Sequence, residues 1–136
     1  MTVPLTGLNH VGVRVRDFAR SVEWYGRLGF RLVWHSDAHA VACLRHDGIG
    51  IELNLILNAD GTNAEKNVLM DVPAKHPGFN HLSFRVASIE ETVQRLAACG
   101  IPIKEGPVRL GGEVAVFVRD PDSNVIELAE ITSSST

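Results

Sequence analysis

The sequence predicts an α+β fold: two tandem βαβββ modules whose curled mixed sheets surround a concave cavity. The first observation is an internal repeat, because residues 9–15 (Asn-His-Val-Gly-Val-Arg-Val) return as residues 80–86 (Asn-His-Leu-Ser-Phe-Arg-Val). The second is that Ile-Glu-Leu at residues 51–53 returns at residues 126–128. Self-similarity at a fixed spacing indicates one structural unit used twice.

The first predicted module covers residues 1–57. Residues 8–16 alternate between apolar valines and polar or small residues, which is typical of a half-buried strand. Asp17 is placed to cap a helix that continues to about Arg27, and Gly29 ends it. Three strand-like runs complete the module, with a hairpin signal at Asp47-Gly48 between the last two; these runs are residues 30–35, 40–46 and 49–57.

A linker over residues 58–78, rich in Asn, Asp, Pro and Gly, precedes the second predicted module at residues 79–131. That module opens on an alternating strand at 79–86. Ser88 and Glu91 then form a capping box for a helix that Gly100 closes. Strands are predicted near residues 102–105, 113–119 and 124–131, and residues 132–136 are predicted to be a disordered Ser-rich tail.

Composition narrows the classes of function. The net charge of −3 and the pI near 6.0 argue against a nucleic-acid partner, since nucleic-acid binders usually have a basic field. No apolar run approaches the ~18 residues that a membrane span needs, and no export signal is visible at the N-terminus. The two cysteines, Cys43 and Cys99, are not in metal or redox spacing, which favours reduced thiols and a cytoplasmic protein.

Strand periodicity places four residues opposite the apolar packing faces of their strands: His10, Glu52, His81 and Glu127. A histidine at a strand start, or a glutamate within a strand, is ordinarily a surface residue. Both residue types recur at both equivalent places, and this duplication favours joint ligation of one divalent metal in the predicted cavity. Imidazole and carboxylate donors suit Zn, Ni, Fe(II), Mn or Co. Glu52 stays open as a ligand, as an acid or base, or as a carboxylate that does not bind the metal.

At these residues the chain resembles the vicinal oxygen chelate superfamily, which includes glyoxalase I, fosfomycin-resistance transferases, extradiol dioxygenases and bleomycin-resistance proteins. The resemblance extends from about Leu8 to Ile131 and rests on four segments: residues 9–13, 21–30, 78–84 and 117–128. It implies a small-molecule substrate whose two adjacent oxygens are chelated by the metal. All four candidate ligands match the glyoxalase I pattern, and the bleomycin-binding branch typically lacks them.

The resemblance implies a lyase or isomerase reaction through a metal-stabilised enediolate. It assigns proton transfer chiefly to Glu127, with Glu52 as its symmetric counterpart. Arg14 matches an arginine that meets a glutathione carboxylate, and Asn54 is a second candidate for substrate binding. Ile56 stands where glyoxalase I often has an asparagine, and this departure weakens the case for glutathione.

Two other functions stay open. An Fe(II) dioxygenase of the extradiol type would use His10, His81 and Glu127 as a facial triad. A non-catalytic binding or resistance protein would keep the fold and sequester a small molecule. In each case a homodimer is expected, because such modules leave sheet edges that need cover.

Overall fold

The computed structural model describes residues 1–62 and 64–132. Within them the α+β prediction is confirmed, since each of two four-stranded mixed sheets is accompanied by one helix. The chain divides into two compact units, Met1–Thr62 and Asn63–Thr136. Neither helix of this described part has the length and apolar character needed to cross a membrane.

The first unit has the element order that the sequence predicts. Its elements are β1 (Val11–Arg14), α1 (Phe18–Gly26), β2 (Arg31–Ser36), β3 (Val41–His46) and β4 (Ile51–Ile56). The strand order across the sheet is β1-β4-β3-β2. The pairing of β1 with β4 is parallel, and the other two pairings are antiparallel. The first and last strands of the unit are therefore neighbours, which is what brings the two ends of the repeat together.

The second unit repeats this plan. Its elements are β5 (Leu82–Arg85), α2 (Ile89–Ala98), β6 (Glu105–Leu110), β7 (Glu113–Arg119) and β8 (Val125–Ile131). The strand order is β5-β8-β7-β6, again with the first and last strands parallel. Thr132 donates hydrogen bonds from its backbone N–H and its hydroxyl to the carbonyl of Gly112. Residues 133–136 of the predicted tail lie outside the described residues.

One strand was predicted at the wrong position. The strand expected near residues 102–105 lies later in the chain, as β6 at Glu105–Leu110. Its register is set by the turn at Gly111, which has φ +59° and places Leu110 opposite Glu113. Pro107 concealed this strand in the sequence, because proline cannot donate to a sheet ladder. An edge strand such as β6 tolerates proline on its unpaired side.

The helix caps follow the sequence, with one difference. Asp17 accepts a hydrogen bond from the Arg20 N–H at 2.8 Å, and Ser88 accepts one from the Glu91 N–H at 3.1 Å. The carboxylate of Glu91 bonds to Arg95 instead of completing the predicted capping box. Glu130, on β8, supplies an acceptor at the same helix end by taking the Ile89 N–H at 2.6 Å.

Each sheet has a packing face and a second face. In the first unit, Leu53 and Leu55 on β4 are fully buried with Tyr25 of α1, whereas Glu52 and Asn54 are half-buried on the other face. Full burial of a side chain as large as Leu contributes about 1.5–3 kcal/mol. In the second unit, β8 is buried on both faces from Val125 to Ala129, so the carboxylate of Glu127 is buried too.

The turn after α1 requires glycine. Gly29 has φ +97°, and a Cβ atom added there would lie 2.7 Å from the Nε2 atom of His46. The His46 ring stands edge-on to Phe30, with ring centroids 5.4 Å apart. This close packing holds the turn from α1 into β2 against the β3–β4 hairpin.

Candidate metal and substrate site

His81 and Glu127 are in direct contact in the second unit. The Nε2 atom of His81 lies 3.1 Å from Oε1 of Glu127. The parallel pairing of β5 with β8 produces this contact, because Leu82 is level with Ile126 and the two side chains leave neighbouring strands on the same face. The Glu127 side chain is 7% exposed and that of His81 is 37% exposed. A buried carboxylate needs a cation or a proton donor nearby, and this one faces an imidazole nitrogen.

An asparagine precedes each candidate histidine and contacts its ring. The Nδ1 atom of His81 lies 2.7 Å from the Asn80 amide oxygen, and that of His10 lies 2.6 Å from the Asn9 amide oxygen. An amide oxygen only accepts, so each Nδ1 is the donor and Nε2 is left for another partner. Fixing one ring nitrogen in this way is how proteins orient histidine ligands of metals.

The chemistry of this pair fits a divalent cation. When a neutral His81 carries its proton on Nδ1, the Nε2 lone pair and a Glu127 oxygen, 3.1 Å apart, are both available to a cation. One imidazole nitrogen and one carboxylate oxygen are donors that Zn, Fe(II), Mn, Ni and Co all accept.

The equivalent carboxylate in the first unit has different surroundings. Glu52 is 39% exposed at its side chain, and its Oε1 atom lies 3.7 Å from Nη1 of Arg45. Arg45 is the residue directly opposite Glu52 on β3. The residue opposite Glu127 on β7 is Phe117, whose ring centroid lies 6.1 Å from that of His81. One carboxylate therefore has a cation beside it, and the other has an aromatic ring.

The two units also differ in the register of their parallel strands. In the first unit the residue after the histidine, Val11, is level with Leu53, the residue after Glu52. In the second unit the corresponding Leu82 is level with Ile126, the residue before Glu127. This difference of two residues keeps the side chains on the same face, because the side-chain period of a strand is two. It moves the histidine and the carboxylate along the strands relative to each other.

Each unit contains two of the four predicted metal ligands, His10 and Glu52 in the first and His81 and Glu127 in the second. Over residues 1–62 and 64–132 there is no group of three or more His, Cys, Asp or Glu side chains that could hold a metal. The structure brings His81 and Glu127 together, and it places His10 beside Asn9 and Glu52 beside Arg45. The joint site of all four residues, with its concave cavity, stays a prediction.

The predicted substrate residues lie on the first sheet. Arg14 donates a hydrogen bond from Nε to the Asn58 amide oxygen at 2.9 Å. Asn54 lies on the same face of β4 as Glu52, level with Gly12 on one side and Cys43 on the other. Burial raises the pKa of the Cys43 thiol, and the nearby Glu52 charge adds to that shift, so the thiol stays protonated at neutral pH. A substrate role for Arg14 and Asn54 stays a prediction.

Sequence reasoning missed the roles of Asn9, Asn80 and Arg45. The two asparagines were visible as part of the repeated Asn-His dipeptide, and the repeat itself was the available signal. No comparable signal marks Arg45, because its position opposite Glu52 depends on the length of the β3–β4 hairpin.

Comparison with known proteins identifies relatives of the chain. The chain is 31% identical over 127 residues to the glyoxalase domain-containing protein RDO1 of Mycosarcoma maydis. The match covers 90% of this chain and 66% of RDO1, so the chain spans just under two thirds of that relative's length. It is 28% identical over 139 residues to a lactoylglutathione lyase of Haemophilus influenzae, covering 93% of the chain and 94% of the relative.

Solved structures share the fold. The fosfomycin resistance protein FosX of Listeria monocytogenes superposes with a TM-score of 0.67 at 17% identity, covering 93% of this chain and 94% of that one. A family model matches residues 7–128, a range that contains both histidines and both glutamates discussed above. The chain is a member of the glyoxalase/bleomycin resistance protein/dioxygenase superfamily.

Proposed function

We propose that this chain is a divalent-metal-dependent lyase or isomerase of the glyoxalase type. The observation that carries the proposal is the contact between the His81 Nε2 atom and the buried Glu127 carboxylate. Ring orientation by Asn80 supports it, because a neutral His81 that donates its Nδ1 proton to Asn80 presents the Nε2 lone pair on the side of Glu127. The superfamily includes enzymes, among them the lyase to which this chain is similar.

The proposed ligands are His81 and Glu127, with His10 and Glu52 as the further ligands that the repeat predicts. These donors are compatible with Zn, Ni, Fe(II), Mn or Co. The metal would supply Lewis acidity to two adjacent oxygens of a small substrate. Asn80 and Asn9 keep the histidine rings oriented. The side chain of Glu127 is buried and lies opposite Phe117 in the sheet, so water has little access to the carboxylate.

Glu127 is the proposed proton acceptor. Its carboxylate removes a proton from the carbon next to one substrate oxygen and returns it to the neighbouring carbon. Glu52 is the symmetric counterpart, and Arg45 holds it by charge. Arg14 and Asn54 are proposed to contact the rest of the substrate. General acid–base catalysis of this type contributes about 10²–10⁴-fold to a rate.

The Arg45–Glu52 contact favours one alternative. If Arg45 keeps Glu52 away from the metal, the proposed ligand set becomes His10, His81 and Glu127. Two histidines and one carboxylate are the facial triad of Fe(II) oxygenases, so an extradiol-type dioxygenase is the second candidate. A binding or resistance protein without turnover is the third.

Elemental analysis of protein purified without added metal, followed by assays with and without oxygen, separates these candidates. The proposal expects one equivalent of a divalent metal per site. It also expects the protein to turn over hemithioacetals, formed from 2-oxoaldehydes and thiols, at the same rate under argon and in air. Turnover that requires Fe(II) and oxygen would establish the dioxygenase instead. Tight ligand binding after chelation, with no turnover under any metal, would establish a binding protein.

The proposed assembly is a cytoplasmic homodimer. Supporting the compartment, the sequence has only two cysteines, far apart and not in redox or metal spacing, as is usual in a reducing compartment. The edge strand β2 exposes the apolar side chains of Leu32, Val33 and Trp34, and apolar edges of this kind are commonly covered by another copy. Light scattering that gives the mass of a monomer would contradict this part of the proposal.

A further inference from the structure

We propose that Arg45 binds an anionic oxygen group of the substrate, a carboxylate, phosphonate or phosphate, and so sets the substrate class of the chain. The inference rests on the proposed function, because it places this anion beside a group chelated at the metal. It concerns the second face of the first sheet, where Arg45 and Glu52 lie opposite each other.

On this face, Arg45 makes longer, and therefore weaker, contacts with carboxylates than Arg31 does. Its neighbour across the sheet, Arg31, holds Asp47 with two short contacts, 2.6 Å from Nε to Oδ2 and 3.1 Å from Nη2 to Oδ1. Arg45 reaches the same carboxylate at 3.4 Å and Glu52 at 3.7 Å. These distances exceed the usual 2.7–3.2 Å of an N–H···O hydrogen bond, so the attraction is chiefly between charges.

Asp47 is therefore neutralised mainly by Arg31. Their hydrogen bonds are the first cause of the lowered pKa of Asp47, and the charge of Arg45 comes after them. Glu52 is then the principal carboxylate left for Arg45. If Glu52 binds the metal, its negative charge is drawn to that ion, and the guanidinium beside it is left to pair with another anion.

The geometry of Arg45 suits this role. Its side chain is 36% exposed, so a ligand can reach the guanidinium, yet its position is fixed by the pairing of β3 with both of its neighbours. A guanidinium binds carboxylate and phosphate groups through two parallel hydrogen bonds. In the second unit, Phe117 occupies the place opposite Glu127 that Arg45 occupies opposite Glu52 in the first unit. The cation at this position is therefore a feature of the first unit and is not repeated in the second.

The test compares two chelators that share a hydroxamate, which offers two adjacent oxygens to a metal. Acetohydroxamic acid has a neutral tail, and succinic acid monohydroxamate carries a carboxylate on its tail. Binding to the Mn²⁺-loaded protein is measured by calorimetry, and Mn²⁺ affinity is measured separately by electron paramagnetic resonance. We expect the wild-type protein to bind the anionic chelator at least about tenfold more tightly, in keeping with one charge-assisted contact.

Arg45→Gln should abolish this preference when both chelators are compared on protein saturated with Mn²⁺. The Mn²⁺ affinity itself is expected to change, because Arg45 lies beside the proposed ligand Glu52. Arg45→Lys, which keeps the charge but loses the planar pair of donors, should retain part of it. The matched control is Arg20→Leu on α1, which removes one exposed positive charge away from this face and should leave the preference intact.

The outcomes separate the two proposals. Equal affinity of the wild-type protein for the two chelators, or a full preference in Arg45→Gln, would overturn the role of Arg45 alone. Absence of Mn²⁺ binding, with neither hydroxamate bound, would overturn the proposed metal-dependent function and the role of Arg45 with it.

Discussion

Arg119 on β7 binds Asp71 through a bidentate pair of hydrogen bonds. The two distances are 2.7 Å from Nη1 to Oδ2 and 2.9 Å from Nη2 to Oδ1. Asp71 also accepts from the backbone N–H of Asn67 at 2.7 Å, and the Asn67 amide donates to the carbonyl of Ser123. These contacts fasten the segment before β5 to the turn between β7 and β8.

The first prediction concerns this pair. The hydrogen bonds from Arg119, followed by that from Asn67, lower the pKa of Asp71 far below its usual value. Asp71→Asn should reduce the free energy of unfolding by about 1 kcal/mol at pH 7, since the pair is partly exposed. Because the folded pKa lies below the unfolded value near 3.9, the stabilisation is present above about pH 4 and is lost as the pH falls further.

Urea unfolding of wild type and Asp71→Asn at pH 7, 4 and 2.5 measures this effect. The difference between the two proteins should change little between pH 7 and pH 4 and should be clearly smaller at pH 2.5. Asp37→Asn, at an exposed carboxylate in the β2–β3 turn, is the control and should change little at any pH. A difference that grows in acid would contradict the assignment of the charge.

The second prediction concerns Glu127. Glu127→Gln keeps the shape of the side chain and removes its charge, so metal binding should weaken and turnover should fall at least about 100-fold. Mn²⁺ titration and initial-rate measurements supply the two readouts. Glu113→Gln on β7 is the matched control and should behave as wild type. Full activity in Glu127→Gln would refute the proposed role in proton transfer.

The third prediction concerns the asparagine beside each histidine. Asn80→Ala and Asn9→Ala should each weaken metal affinity by about 10–100-fold, because loss of a partner that orients a ligand has effects of that size. Asn80→Asp should restore binding, since a carboxylate oxygen can accept from Nδ1 in the same way. Gln94→Ala on the exposed face of α2 is the control, and thermal unfolding checks that each variant folds. Unchanged affinity in both alanine variants would show that these contacts do not orient the rings.

The fourth prediction uses the repeat as its own control. Gly29 and Gly100 both follow their helices with positive φ, at +97° and +71°. An added Cβ would meet the His46 ring at Gly29, whereas at Gly100 nothing lies within 4 Å among the described residues. Gly100→Ala should therefore cost only the left-handed backbone, about 1–2 kcal/mol, and Gly29→Ala should cost more.

Chemical denaturation of the two variants measures the difference. The double variant Gly29→Ala/His46→Ala should recover the part due to the clash when compared with His46→Ala alone. Equal destabilisation by Gly29→Ala and Gly100→Ala would mean that the turn relaxes away from His46.

Much of the fold could be predicted because its causes are local. Asp17 and Ser88 cap their helices by accepting hydrogen bonds from residues three positions later, and such pairs are close in sequence. The alternation on β4 likewise fixed which side chains leave the packing face.

By itself, the sequence determined the duplication, the element order and the face of the sheet on which His81 and Glu127 lie, because a strand's side-chain period is a property of its backbone. Only the tertiary structure decided the register between parallel strands, which differs by two residues between the units. It also decided that Arg45 stands opposite Glu52 and Phe117 opposite Glu127. The parallel register is selected by packing between segments distant in the chain, whereas the two cross-strand neighbours depend on the lengths of the β3–β4 and β7–β8 turns.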